Sequence, residues 1–158
     1  MKNKLIAFLA SGLGLGLIPI APGTFGTLLG VPLAYYLHFR GPYPYMAWTI
    51  AFTVLAVLIS ELAGPIFGES DSPKIVIDEV AGFIVTMAWL PATWQFFLAG
   101  FILFRILDIF KPGPIGYLDR KVKGGLGVVV DDLAAGIVAN VILQVLYVNT
   151  SLLGAQLP

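Results

Sequence analysis

Apolar residues run almost unbroken along this chain, and proline, glycine and a few short polar stretches divide them. No charge appears over residues 5–39, but Pro19, Pro22 and Gly23 split that run. Its first part, residues 5–18, carries Gly12, Gly14 and Gly16. It is short for a membrane span, which needs about 20 residues, and reads as a re-entrant or interfacial helix. Thr24 is placed to cap a second helix ending near Phe39. Residues 41–45 (GPYPY) form a turn whose tyrosines suit a headgroup layer, and a third apolar segment covers about residues 46–67. After the polar loop GESDSP at residues 68–73, a fourth helix is predicted from Ile77 or Asp78 to Pro91. A fifth runs from about Trp94 to Phe110, stopped by Pro112, and a sixth from near Val130 to about Val148. The pattern predicts an all-α polytopic membrane helix bundle, one domain over residues 1–158, with about five transmembrane helices plus the short N-terminal helix.

Composition narrows the class. The chain is 58% hydrophobic and 11% charged, with a mean hydropathy of +0.92, which fits a polytopic membrane protein and not a soluble domain. A net charge of zero offers no basic surface for nucleic acid. The absence of cysteine excludes disulfides, thiolate metal sites and a cysteine nucleophile. Lys2 and Lys4 before an apolar run imitate a signal peptide, but no cleavage site leading into a soluble domain follows.

Counting lysine and arginine orients the bundle. With the loop after Phe67 inside the cell, alternation puts Lys74, Lys111, Arg120, Lys121 and Lys123 on the inner face against Arg40 alone outside. Three polar stretches, residues 19–27, 69–79 and 105–132, then meet at one membrane surface, an arrangement that suits an active site. Trp48, Trp89 and Trp94 fall at the outer boundary as belt residues, and His38 lies toward that side too.

Half of the charged residues lie between Phe104 and Gly136. Ionisable groups beside apolar helices are costly and mark sites. A solvated loop explains Arg120 to Lys123, but not Asp108, Asp131 and Asp132. Asp78-Glu79 is followed by Gly82 and Asp131-Asp132 by Gly136. From Asp78 to Gly82 and from Asp132 to Gly136 the step is one helical turn, so each is read as an acidic helix start whose glycine admits a neighbouring helix. Capping explains one acid per helix, and each helix has two. Four converging carboxylates would repel unless a divalent cation such as Mg²⁺ stood between them. Arg105, Asp108 and Lys111 share a stripe at three-residue steps. They are candidates for phosphate contact (Arg105, Lys111) and for a metal ligand or base (Asp108), with an internal Arg105–Asp108 pair as the plainer reading. Two glycine-rich segments, residues 23–27 with Thr24 and Thr27, and residues 123–127 with Lys123, are either anion seats or plain turns. Glu61 is a spare ligand candidate. No nucleophile elbow is present, which leaves metal-assisted attack by water or by an aspartate.

Over residues 19–28 (PIAPGTFGTL), 75–83 (IVIDEVAGF) and 104–136 (FRILDIFKPGPIGYLDRKVKGGLGVVVDDLAAG) the sequence resembles the phosphatidylglycerophosphatase A family. The resemblance implies a Mg²⁺-dependent phosphatase of the bacterial inner membrane that converts phosphatidylglycerophosphate to phosphatidylglycerol. It maps the family's acidic positions onto Asp78, Glu79, Asp108, Asp131 and Asp132, and its basic ones onto Arg105, Lys111 and Arg120. On this expectation Asp78, Glu79, Asp131 and Asp132 hold Mg²⁺ at the cytoplasmic face. Asp108 then orients or deprotonates water, and Arg105, Lys111 and Arg120 neutralise charge, with an aspartyl-phosphate as the rival route. A small cation- or proton-coupled carrier is the alternative of a different class, and a CDP-alcohol phosphotransferase lacks its long aspartate-rich signature here.

Overall fold

The computed structural model describes residues 2–154, which contain seven α-helices and no β-strand. The order is α1 (Lys2–Ala10), a 3₁₀ turn (Leu15–Leu17), α2 (Pro22–His38), α3 (Pro42–Phe67), α4 (Ile77–Thr86), α5 (Trp94–Phe110), α6 (Pro114–Lys121) and α7 (Gly124–Asn149). Proline opens α2, α3 and α6, where its missing N–H costs nothing. Ala21 rather than Thr24 occupies the cap position of α2, with no side-chain cap bond, so the expected threonine cap is not formed.

Spanning length is reached by two helices, α3 and α7, both long and apolar enough to cross a membrane. α2 and α5 have 17 residues each, a rise of about 25 Å, and α4 has 10. The N-terminal segment is a nine-residue helix followed by a reversal. Gly12, Leu13 and Gly14 take left-handed φ values of 53°, 61° and 95°, turning the chain back so that Gly16 lies against the Lys74 carbonyl.

The short helix α4 is the centre of the bundle. It packs chiefly on α7, α2 and α3, and nearly all its residues are buried. Phe83, Ile84, Phe96, Phe104 and Leu143 fill the core around it. The sequence pattern predicts that this helix continues to Pro91, but it ends at Thr86, and Trp89 takes a left-handed φ of 57°. Side chains from its neighbours make that early end tolerable. Tyr45 donates to the Ile84 carbonyl at 2.7 Å, Asn140 donates to those of Thr86 (2.9 Å) and Ala88 (2.8 Å), and Gln144 adds a 3.2 Å bond to Ala88. In an apolar surrounding, every such carbonyl needs a partner. Asn140→Leu leaves two of these bonds unmade and is expected to destabilise the protein by about 1–3 kcal/mol. Thermal melting of the purified variant in detergent measures this, and an unchanged Tm removes the assigned role.

The two ends of the bundle differ in chemistry. His38, Tyr45, Trp89, Pro91 and Tyr147 line a cleft of about 360 Å³ at one end, where Arg40 is the charged residue nearby. The opposite end gathers the starts of α2, α4 and α7 with the end of α5: Gly23 abuts Glu79 and Arg105, and Lys111 binds Asp131.

Candidate active site

The site starts from two glycines. Gly82 of α4 and Gly136 of α7 face each other so closely that a Cβ on Gly136 would overlap the Gly82 carbonyl oxygen. A Cβ on Gly82 would stand 2.7 Å from the Phe104 ring and 2.8 Å from the Asp132 carbonyl oxygen. Each glycine lies one helical turn after an acid, so backbone contact at this level sets Asp78 and Asp132 side by side. Asp78, Glu79 and Asp132 each offer an oxygen, and the three oxygens lie within 4.8 Å of one another.

Asp78 and Asp132 are 8% and 3% exposed. Asp78 Oδ1, Glu79 Oε2 and Asp132 Oδ2 are buried without a hydrogen-bond partner among the described residues. Asp108 adds a fourth carboxylate, near enough for its charge to act on Asp132. The balancing cation is Arg105, whose Nη1 lies 2.6 Å from Asp108 and 3.8 Å from Glu79 Oε1 and donates to Thr27 Oγ1 at 3.4 Å. One guanidinium against four carboxylates leaves an excess of negative charge. Even at the 4.8 Å limit of this group, two full charges repel by roughly 3 kcal/mol at an effective dielectric of about 20. Three carboxylates that each bring an oxygen to one small volume, and each keep a buried oxygen without a partner, have the composition that a divalent cation accepts. Gly23, at the start of α2, forms the wall of this site, because a Cβ there would collide with Glu79 and come within 3.0 Å of the Arg105 guanidinium.

Not every expected residue joins this group. α7 begins at Gly124 and not near Val130, so Asp131 and Asp132 lie two turns inside the helix and cap nothing. Asp131, expected as a metal ligand, is not part of the trio and accepts a bond from Lys111 through Oδ2, while its Oδ1 is buried without a partner among the described residues. Lys111, expected at phosphate, is held between Asp131 and Asp119, the latter at 2.5 Å. The Lys111 hydrogen bond keeps the Asp119 carboxyl below its usual range, so this pair stays charged near neutral pH. Arg120 and Lys123 are exposed and outside the acidic group. The glycines at residues 124–127 form the first turn of α7 instead of an anion cradle, and Gly125 N–H donates to Glu61, which therefore caps a helix. Thr24 is half-buried near the start of α2, while Thr27 is fully buried against Arg105. Sequence reasoning missed Asp119 as the partner of Lys111 and Gly23 as a steric wall. Asp119 follows a Gly-Pro turn and a new helix, so no periodicity connects it to Lys111.

Fold and site together define an apolar all-α protein with a largely buried acidic trio and an arginine at one end of the bundle. The phosphatidylglycerophosphatase A family matches residues 8–147. Phosphatidylglycerophosphatase A of Escherichia coli (strain K12) is 40% identical over 132 residues, covering 83% of this chain and 77% of that one. The Haemophilus influenzae protein of the same name is 38% identical, over 87% of this chain and 85% of its own. A putative phosphatidylinositol-3-phosphatase of Bacteroides thetaiotaomicron is 33% identical, over 87% and 90%. No solved structure matches. The chain belongs to the phosphatidylglycerophosphatase A family and is a phosphatase.

Proposed function

We propose that this enzyme hydrolyses phosphatidylglycerophosphate to phosphatidylglycerol and inorganic phosphate at the cytoplasmic face of a bacterial inner membrane. The observation that carries the reading is the buried convergence of Asp78, Glu79 and Asp132, each with an unpartnered oxygen, beside Arg105. These three carboxylates would hold Mg²⁺, which would supply charge neutralisation at the phosphate and make the attacking water more acidic. Arg105 binds phosphate oxygens and counters the charge that grows on them as the P–O ester bond breaks. Asp108, oriented by Arg105, receives a proton from the attacking water and returns it to the glycerol oxygen, which leaves as a hydroxyl. Gly23, lacking a side chain, lets the start of α2 lie directly against Glu79 and the guanidinium.

The membrane arrangement that fits is five segments, α3 and α7 crossing fully with α2, α5 and the buried half-helix α4 among them. The cation-rich end then faces the cytoplasm under the positive-inside bias. A cation carrier is disfavoured because a pathway needs acids through the membrane depth, whereas these acids sit at one end of the bundle. Chelation of divalent cations is expected to stop phosphate release from phosphatidylglycerophosphate, and added Mg²⁺ to restore it. Full turnover in excess chelator would end the metal-assisted reading, and no turnover with Mg²⁺ present would end the substrate assignment.

A further inference from the structure

Asp108 lies in a helix turn that apolar packing does not fasten. Phe104 and Leu107 are buried, but beyond them α5 turns its apolar side chains outward, with Ile109 62% and Phe110 76% exposed. What ties this turn down is Lys111, three residues after Asp108. Its ammonium binds Asp119 of α6 at 2.5 Å and also Asp131 of α7, so one cation joins the end of α5 to two other helices.

The local chain is shaped to make this junction. Lys111 takes a left-handed φ of 44°, uncommon for a residue with a side chain, and its N–H still donates to the Leu107 carbonyl at 2.8 Å. Gly113 reverses the chain, and Gly116 in the first turn of α6 packs on the Lys111 carbonyl, where a Cβ would stand 2.5 Å from the oxygen. The second turn of α6 then returns Asp119 to the ammonium. Asp131 is 4% exposed, where a carboxylate without a cation would be costly. Two carboxylates more than balance the single charge of Lys111, so little attraction is left for a phosphate. Lys111 follows Asp108 by one turn on the same face, and Asp131 precedes Asp132 by one residue. Their bond therefore sets the end of α5 on α7 at the level where Asp108 approaches Asp132. The contact of Gly82 with Gly136 fixes α4 on α7 but does not reach this last turn of α5.

We infer that Lys111, clamped by Asp119 and Asp131, is a positioning residue that holds Asp108 in register with the acidic trio. The inference rests on the phosphatase reading above. Its test uses the purified full chain in detergent with Mg²⁺, assayed well below the Tm of each variant. Lys111→Met keeps the length of the side chain and removes its charge. It is expected to lower kcat for phosphate release roughly 10–100-fold, with KM for the lipid and the Mg²⁺-dependent rise in Tm retained. Asp119→Asn is milder, because this side chain is 33% exposed, and lowers kcat in the same way. It keeps the test open should Lys111→Met fail to fold, and in the Lys111→Met background it adds no further loss. Lys121→Met, exposed at the end of α6, leaves kcat unchanged. Because the chain has no cysteine, spin labels at Phe110→Cys and Val145→Cys, both exposed, report the distance from α5 to α7. Its distribution broadens in Lys111→Met. A raised KM at constant kcat would make Lys111 a phosphate contact and overturn the inference. Wild-type kcat in Lys111→Met, additive losses in the double variant, an equal loss in Lys121→Met, a lost Mg²⁺ effect on Tm or an unchanged label distance would overturn it too. A wild type that releases no phosphate ends the phosphatase reading instead, and the label distances still judge the clamp.

Discussion

Asp132→Asn is expected to lower phosphate release at least about 100-fold while leaving the protein folded. The asparagine is nearly isosteric, so packing against α4 is kept and only a charge is lost. That loss has two opposite effects on stability. Without a divalent cation, Asp132 is a buried carboxylate among Asp78, Glu79 and Asp108 with one arginine to balance them, so replacing it relieves the cost of burying a charge and then the repulsion from its neighbours. The chelated variant therefore melts at a higher temperature than the chelated wild type. With Mg²⁺ the order reverses, because a cation held by the native fold alone stabilises it, by about 2.7 kcal/mol at a hundredfold excess over Kd. The variant loses that increment. Asp78→Asn behaves alike, and thermal melting with and without Mg²⁺ reads both. A variant that keeps wild-type turnover and the full Mg²⁺-dependent rise in Tm removes the trio as the site. Asp131→Asn is the contrasting case: its partner is Lys111, so the Mg²⁺-dependent rise in Tm persists.

Gly136→Ala is the second substitution with a large expected effect. Alanine is the better helix former by up to about 1 kcal/mol, so propensity alone predicts a gain. Contact decides otherwise, because the new Cβ falls on the Gly82 carbonyl oxygen, a backbone atom that cannot rotate aside. Overpacking of this kind costs about 1–3 kcal/mol, and the cheapest relief is separation of α4 from α7. Those helices carry Asp78, Glu79 and Asp132 one turn away, and a misplacement of about 1 Å costs roughly 100-fold in rate. Phosphate release thus falls far more than stability does, with Mg²⁺ binding weakened. Wild-type activity and Tm in Gly136→Ala would show that the close approach is not what assembles the site.

The parts of the site legible beforehand follow from intervals along one helix. An acid one turn before a glycine reads the same in sequence and in space, as at Asp78–Gly82 and Asp132–Gly136. The Arg105–Asp108 pair three residues apart is of the same kind and is seen at 2.6 Å. The predicted fifth helix, Trp94 to Phe110, agrees with α5. Where the prediction departed, tertiary contact had overridden local preference. Glycine is a poor helix former, so residues 124–127 look like a loop, yet Glu61 on α3 receives Gly125 and draws those residues into α7. Likewise α4 stops five residues before Pro91, since Tyr45, Asn140 and Gln144 accept its early end.

By itself the amino-acid order determined that the chain is all-helical and apolar, that its charges collect in a few short stretches, and which family's motifs it carries. The tertiary structure alone decided which acids meet. Asp131 and Asp132 are neighbours in sequence but about 100° apart around the helix, so one joins Asp78 and Glu79 while the other faces Lys111. Periodicity states which residues share a face, but not how the helix is rotated or what it packs on. Here the contact of two glycines sets that rotation.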